Sequence, residues 1–193
     1  MSRPREYKKE DVLEAATNVF WKKGFNSTSM NDLVEATGLN KHSMYGEFKS
    51  KEGLFLACID NYVNKSTKSI ADILAEKPLG IRNIKAFFEN RIEYASSGEC
   101  DGCLLVNTAV EGKTLNDKLN KIVNNNLHGQ RTIFYACLRA AQENGKIPKE
   151  KDCKMLADYL MCFLEGLMVM GKTNPTKKSV SKIMDTVMQV ITK

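Results

Sequence analysis

Apolar residues recur every three or four positions along almost the whole chain, a spacing that predicts amphipathic helices. The first such segment carries Val12, Ala16 and Phe20 and stops at Gly24, a residue that helix C-termini prefer. The alternation typical of strands is almost absent, and the 193 residues include only four prolines. The pattern therefore predicts an all-α fold of about nine helices.

Two short helices joined by a tight turn are predicted between Thr28 and Phe48. The first follows Ser29, with Asp32 placed three residues later as in a capping box, and the turn contains Gly38. Apolar residues along this segment can form the small core that fixes the angle between the helices: Leu33, Leu39, Met44 and Phe48. This arrangement is typical of a helix-turn-helix unit.

The second short helix presents a run of hydrogen-bonding side chains on its outer side. They are Asn40, Lys41, His42, Ser43 and Tyr45. Side chains of this kind read base edges in the major groove or bind backbone phosphates. The unit predicts DNA binding. The alternative is a helical module that uses the same domain for protein contacts.

Further helices are predicted over residues 50–74, 81–96, 103–110, 115–144, 154–171 and 176–191. Breaks at residues 78–80, 145–148 and 173–175, each with a proline, separate several of them. We divide the chain into a helix-turn-helix DNA-binding domain over residues 1–50 and a helical domain for effector binding and dimerisation over residues 51–193.

Composition narrows the class of protein. A net charge of +6 favours a polyanionic partner, and no apolar run approaches the roughly 20 residues that span a bilayer. We therefore expect a cytoplasmic protein without a membrane partner. The histidines are His42 and His128 alone, and no phosphate-binding glycine loop, nucleophile motif or metal-spaced cluster occurs. An enzyme, a metal site and a cofactor are not expected.

The segment Val12–Phe55 resembles the N-terminal domain of TetR/AcrR-family regulators. The similar residues are Phe20, Lys23-Gly-Phe25 and Thr28 before the motif, and Lys-Ser-Lys-Glu-Gly-Leu-Phe ending at Phe55 after it. A weaker C-terminal similarity begins at Gly145-Lys-Ile and ends at Glu165-Gly-Leu. The resemblance implies a ligand-responsive transcriptional regulator, usually a repressor, that binds a palindromic operator in double-stranded DNA as a homodimer.

The resemblance also assigns roles to single positions. Tyr45 and Lys51 match residues that contact backbone phosphate, and Thr28 and Ser29 match hydroxyls that do the same. Lys41, His42 and Ser43 fall at base-reading positions. The chain departs from the family pattern at Val34, His42 and Gly46. These departures leave the operator sequence open.

Two sets of apolar residues are assigned to the C-terminal domain. The last helix has a stripe of Val180, Ile183, Met184, Val187 and Ile191, and the helix before it, residues 155–170, is apolar nearly all round. We predict that both helices form the dimer interface, the alternative being an ordinary core.

The middle helices are predicted to enclose a pocket for a small apolar effector. Each candidate lining residue is also suited to a core. The candidates are Phe87, Phe88, Arg91, Tyr94, Cys103, Leu105, Phe134, Tyr135, Met161 and Met168.

Cys103 supports an alternative mode of action. The segment Gly102-Cys-Leu104, at the sixth helix, resembles one branch of the family in which some members sense electrophiles or oxidants. A thiol at a helix N-terminus is favoured as thiolate, whereas Glu99 and Asp101 would raise its pKa. Cys100 could also form a disulfide with Cys103. The alternative function is therefore a redox- or electrophile-sensing regulator.

Overall fold

The computed structural model describes residues 7–112 and 115–193, with the backbone alone over residues 66–71. Over these ranges the chain forms nine α-helices and no strand, which confirms the predicted all-α class. The helices are α1 (Lys9–Lys23), α2 (Met30–Thr37), α3 (Lys41–Phe48), α4 (Lys51–Ala75), α5 (Ile81–Ala95), α6 (Leu104–Glu111), α7 (Asp117–Glu143), α8 (Cys153–Gly171) and α9 (Lys177–Thr192). Residues 1–6 of the predicted DNA-binding domain lie outside the described part.

Side-chain caps set the boundaries of the short helices. Ser29 and Asp32 form the predicted capping box ahead of α2. Gly38 ends α2 with φ 69°, a left-handed conformation that glycine adopts without strain. Asn40 caps α3 and Ser50 caps α4, each accepting a hydrogen bond from the backbone three residues on. The predicted helix-turn-helix geometry is therefore fixed locally.

An N-terminal core holds α1, α2, α3 and the first half of α4 together. Its central side chains include Phe20, Leu33, Met44 and Phe55, each at most 1% exposed. The same core continues into the starts of α6 and α7 through residues such as Leu104 and Leu119. The DNA-binding unit thus packs directly on the following helices, and α4 belongs to both parts of the molecule.

A second core joins α5, α7, α8 and α9. Four of the five residues of the predicted α9 stripe lie inside it, namely Val180, Met184, Val187 and Ile191. Because these side chains pack within their own chain, assigning the stripe to the dimer interface was wrong for them. Ile183, at 39% exposed, is the member that faces outward. Among the described residues, no helix is long and apolar enough to span a membrane.

Candidate DNA-binding surface and effector cavity

The outer face of α3 carries the residues predicted to contact DNA. Lys41 and His42 are exposed, Tyr45 is 46% exposed, and Ser43 is half-buried. The side chain of Asn40 accepts a hydrogen bond from Ser43 N at 2.9 Å, so its carbonyl oxygen is used by the cap and its amide group is left for other contacts. Met44 and Phe48 hold the opposite face in the core, which makes the exposed face rigid.

Ser29 is exposed at the N-terminus of α2, where its hydroxyl is part of the cap. It donates to Asp32 Oδ2 at 2.8 Å and accepts from Asp32 N at 3.2 Å. The Lys23 ammonium lies 2.7 Å from Asp32 Oδ1. This ammonium, together with the Ser29 backbone and hydroxyl groups, holds the pKa of Asp32 well below its usual value.

Replacing Ser29 by alanine is expected to lower the free energy of unfolding by about 1 kcal/mol, because α2 loses its N-cap. Since the pKa of Asp32 is depressed, the contribution of its carboxylate is present above its usual pKa of about 4 and is lost on acidification. Urea unfolding at neutral and acidic pH measures both effects. Ser27→Ala, an exposed serine outside the cap, is the control. Equal stability of the two variants would contradict the capping role.

Thr28 does not take the position that the sequence predicted. Its side chain is buried, at 1% exposed, and its hydroxyl donates to Gly24 O at 2.6 Å. The hydroxyl closes the turn between α1 and α2 and faces away from solvent. In this conformation the Thr28 hydroxyl is not presented to solvent, and its predicted contact with phosphate stays a prediction.

The Lys51 ammonium is also engaged within the chain. It donates to Phe25 O and Thr28 O, each at 2.9 Å, and lies 4.5 Å from the centroid of the Phe25 ring. These contacts tie the N-terminus of α4 to the turn between α1 and α2. In the structure this side chain positions the helix-turn-helix unit, and its predicted contact with phosphate stays a prediction.

A cavity of about 440 Å³ lies between the end of α1, α4 and the helices α5 to α8. Six of the ten predicted residues line it: Phe87, Arg91, Tyr94, Cys103, Met161 and Met168. Phe88 and Phe134 do not, because their rings stack on each other at 5.6 Å in the second core. Leu105 belongs to the N-terminal core, and Tyr135 packs against the second core outside the cavity.

Polar groups interrupt the largely apolar cavity wall. The Arg91 guanidinium donates to Asn90 Oδ1 and lies 5.8 Å from the centroid of the Phe87 ring. Burial raises the pKa of Glu165. The pKa of Tyr94 is raised to about 12, and burial is the largest cause of this shift. Tyr94 is therefore neutral at physiological pH. The wall suits a mostly apolar molecule with a few hydrogen-bonding groups.

Cys103 occupies the N-cap position of α6, one residue before the first turn where it was expected. It is half-buried, faces the cavity and accepts a hydrogen bond from the Tyr62 hydroxyl, 3.5 Å from its sulfur. Cys100 is buried, and both cysteines are free thiols in the structure. No group of side chains with metal-binding geometry occurs within the described residues.

Trp21, Tyr62 and Glu111 are important residues that the sequence did not predict. Trp21 and Tyr62 line the cavity, and the Glu111 carboxylate accepts hydrogen bonds from Phe25 N and Asn26 N at 2.6 and 2.9 Å. Trp21 and Glu111 contact groups that lie 80 or more residues away in sequence. No local pattern marks such contacts in advance.

Comparison with known proteins gives the family. Residues 12–58 match the profile of bacterial regulatory proteins of the tetR family, and residues 80–187 match the tetracyclin repressor-like C-terminal domain. The chain is 28% identical over 192 residues to the HTH-type transcriptional repressor ComR of Escherichia coli K12, covering 97% of this chain and 90% of ComR. It is also 28% identical over 167 residues to the repressor BdcR of the same organism, covering 86% and 79% of the two chains.

A solved structure agrees with this assignment at the level of the fold. A cysteine mutant of the TetR-family regulator CifR, complexed with a 26-base-pair operator DNA, superposes with a TM-score of 0.88 at 24% identity, covering 97% of this chain and 98% of that one. The profile over residues 80–187 spans more than half of the chain, and together with the helix-turn-helix geometry it decides the class. The chain belongs to the TetR family and is a DNA-binding transcriptional regulator, not an enzyme.

Proposed function

We propose that the chain is an effector-responsive repressor that binds a palindromic operator as a homodimer. The observation that carries this proposal is the capped, rigidly packed α3, whose exposed face holds Lys41, His42 and Tyr45. The names of the relatives support it, since ComR and BdcR are repressors and the CifR structure contains operator DNA. Each α3 would enter a major groove, and the remaining cations would contact phosphates.

Selection of bound duplexes from a random DNA library tests this function. A dimer of helix-turn-helix units places its recognition helices about one helical turn, roughly 34–36 Å, apart. The expected product is therefore a palindrome with half-sites at that spacing. Recovery of unrelated sequences without internal symmetry would contradict the proposal, as would a failure to retain any duplex.

A charge-free face of α8 is the proposed centre of the dimer. Uncharged residues that are exposed or half-buried recur along it at Met155, Tyr159, Cys162, Gly166 and Val169. Their spacing of three, four and seven residues places them on one side of the helix. Cys162 stands at the midpoint of α8. If α8 packs antiparallel against the same helix of a second copy, Cys162 meets its own counterpart, and Tyr159 faces position 165, next to the small Gly166 of the partner subunit.

Cysteine cross-linking with diamide tests this register. Two Cys162 thiols on the axis should join as a disulfide, with their two protons and two electrons passing to the azo group of diamide. In a Cys162→Ser background, Met155→Cys or Val169→Cys alone should not cross-link, whereas the two changes together should, because position 155 faces position 169. A monomer in light scattering would contradict the dimer, and equal cross-linking at all positions would contradict the register.

The proposed effector site is the 440 Å³ cavity, and its ligand is a small, mostly apolar molecule. The protein has a form that binds DNA and a form that does not, and the ligand has an affinity for each. The ligand weakens operator binding by at most the ratio of these two affinities. The cavity lies between α1, α4 and the C-terminal helices. This position supports a regulatory role, because a bound molecule contacts both the N-terminal and the C-terminal part of the chain.

Thiol sensing through Cys103 is a second candidate function. The observation in its favour is that Cys103 faces the cavity at the start of α6, whereas Cys58, Cys100 and Cys137 are buried. We expect N-ethylmaleimide to lower the operator affinity of a Cys162→Ser variant; the Cys103 sulfur bonds to one carbon of the maleimide double bond and the thiol proton ends on the other. The Cys103→Ser, Cys162→Ser double variant should not respond. An equal response of both variants would exclude Cys103 as the sensor.

A further inference from the structure

The wall of the cavity is partly built by the DNA-binding unit itself. Trp21 lies in the last turns of α1, yet its side chain lines the cavity beside Tyr62 and Cys103. It is also the sole tryptophan of the chain. A molecule that enters the cavity therefore contacts a side chain of α1, the helix against which α2 packs, without an intervening element.

Hydrogen bonds hold Trp21 against the C-terminal domain from two sides. Its indole N–H donates to Asp101 O at 3.0 Å. Asn107 Nδ2 donates to Asp101 O at 2.9 Å and to Trp21 O at 3.5 Å. The indole and the Tyr62 ring pack edge to face, with centroids 5.0 Å apart and planes at 80°. The Tyr62 hydroxyl donates to Cys103 Sγ. Tyr62 therefore connects Cys103 to the indole, and a displacement of Tyr62 at Cys103 also removes the ring that packs on Trp21.

The segment of residues 101–111, which contacts Trp21 near its start, also contacts the DNA-binding unit at its end. Residues 101–111 start at the cavity with Gly102 and Cys103 and end at Glu111. The Glu111 carboxylate accepts from the backbone N–H groups of Phe25 and Asn26, in the turn that follows α1. The end of α1 and the turn are thus attached to one segment at two points.

Trp21 is adjacent in sequence to a central residue of the N-terminal core. Phe20 is 1% exposed, and its ring lies 4.7 Å from the Phe55 ring and 6.2 Å from the Phe25 ring, centroid to centroid. A close-packed core transmits displacement to its neighbours because it has no free volume to absorb it. A shift of the last turn of α1 therefore changes the packing of α2 and α4 on α1.

We propose that Trp21 couples occupancy of the cavity to the DNA-binding unit. A molecule that fills the space beside Cys103 displaces Tyr62 and Asp101 from the indole and releases the last turn of α1. With the cavity empty, the Trp21 contacts hold the arrangement that binds DNA. This inference rests on the proposed effector-responsive function and adds the residue through which the response passes.

A double-mutant cycle on the full-length chain tests the coupling. Cys103→Phe places a ring permanently in the cavity, and Trp21→Phe keeps a ring against Tyr62 while removing the N–H donor. We expect Cys103→Phe to weaken binding to the selected palindrome about tenfold. Trp21→Phe should weaken it about fivefold, the ratio that corresponds to one net hydrogen bond. In the Trp21→Phe background, Cys103→Phe should add less than about twofold, because both changes break the same contact.

The control is Tyr135→Phe, which trims a half-buried aromatic side chain outside the cavity and should leave the effect of Cys103→Phe at its full size. If Cys103→Phe does not fold, the Cys162→Ser protein labelled at Cys103 with N-ethylmaleimide replaces it. An equal loss of affinity from Cys103→Phe with and without Trp21 would overturn the inference, as would no loss from a folded Cys103→Phe protein.

Fluorescence of the sole tryptophan separates this inference from the proposed function. Cys103→Phe should shift the Trp21 emission to longer wavelength, whether or not DNA is present, because the indole loses its partner and becomes more hydrated. If the unmodified chain binds no duplex, the proposed function fails, while an emission shift still supports the displacement of Trp21. If the unmodified chain binds DNA but Cys103→Phe leaves the Trp21 emission unchanged, the coupling through Trp21 is overturned and the proposed function is not.

Discussion

The Lys41→Ala, Tyr45→Ala double variant is expected to bind the selected palindrome at least about 30-fold more weakly than the unmodified chain, since each of the two lost base or phosphate contacts costs roughly 1–3 kcal/mol. Both side chains lie on the exposed face of α3, and Lys41 has no ion-pair partner within the described ranges. Neither side chain contributes to the N-terminal core. The melting temperature should therefore stay close to that of the unmodified chain.

Fluorescence anisotropy with the labelled palindrome measures this loss. Lys121→Ala is the matched control, because it removes an exposed lysine from α7, outside the helix-turn-helix unit. It lowers the net charge by the same amount and should change affinity only slightly. If the double variant bound as well as Lys121→Ala, α3 would not be the recognition helix.

Lys51→Met is expected to lower the free energy of unfolding by about 2–3 kcal/mol, from two charge-assisted hydrogen bonds and a cation–π contact. The Lys51 ammonium is bonded to Phe25 O and Thr28 O in a half-buried position. Methionine keeps the length of the side chain but leaves these two carbonyl oxygens without their donor. The turn between α1 and α2 then loses its attachment to α4.

Urea unfolding checks this prediction, with Lys65→Met as the control. Lys65 also lies on α4, but its ion pair with Glu14 is exposed, at 55% and 64% for the two side chains. Exposed ion pairs contribute little, so this variant should be close to the unmodified chain in stability. If Lys51→Met left stability unchanged and reduced only the salt dependence of DNA binding, its main role would be the phosphate contact that the sequence predicted.

Local chemistry explains what the sequence could predict. Ser29, Gly38 and Asn40 act within three or four residues of their own positions, so the helix-turn-helix unit was correctly predicted from spacing. The outward face of α3 follows from its helical period, with Met44 and Phe48 turned inward. The family resemblance then supplied the function class, which the profiles confirm.

Tertiary contacts explain what the sequence could not predict. Lys51 is directed to carbonyl groups 23 and 26 residues away, and Thr28 turns its hydroxyl into the α1–α2 turn. Apolar periodicity identifies the buried face of α9, but it does not say whether the same chain or a second copy covers that face. Trp21 and Glu111 depend on groups 80 to 86 residues away, which no local pattern reveals.

The salt dependence of binding to the selected palindrome tests the central claim most directly. A dimer that neutralises six to ten phosphates should lose roughly 10³–10⁵ in affinity between about 50 and 200 mM salt, because bound counterions are released from the DNA. At each salt concentration, the palindrome should bind more tightly than a scrambled duplex of equal length. Binding that does not change with salt, or equal affinity for both duplexes, would contradict the account of this chain as an operator-binding regulator.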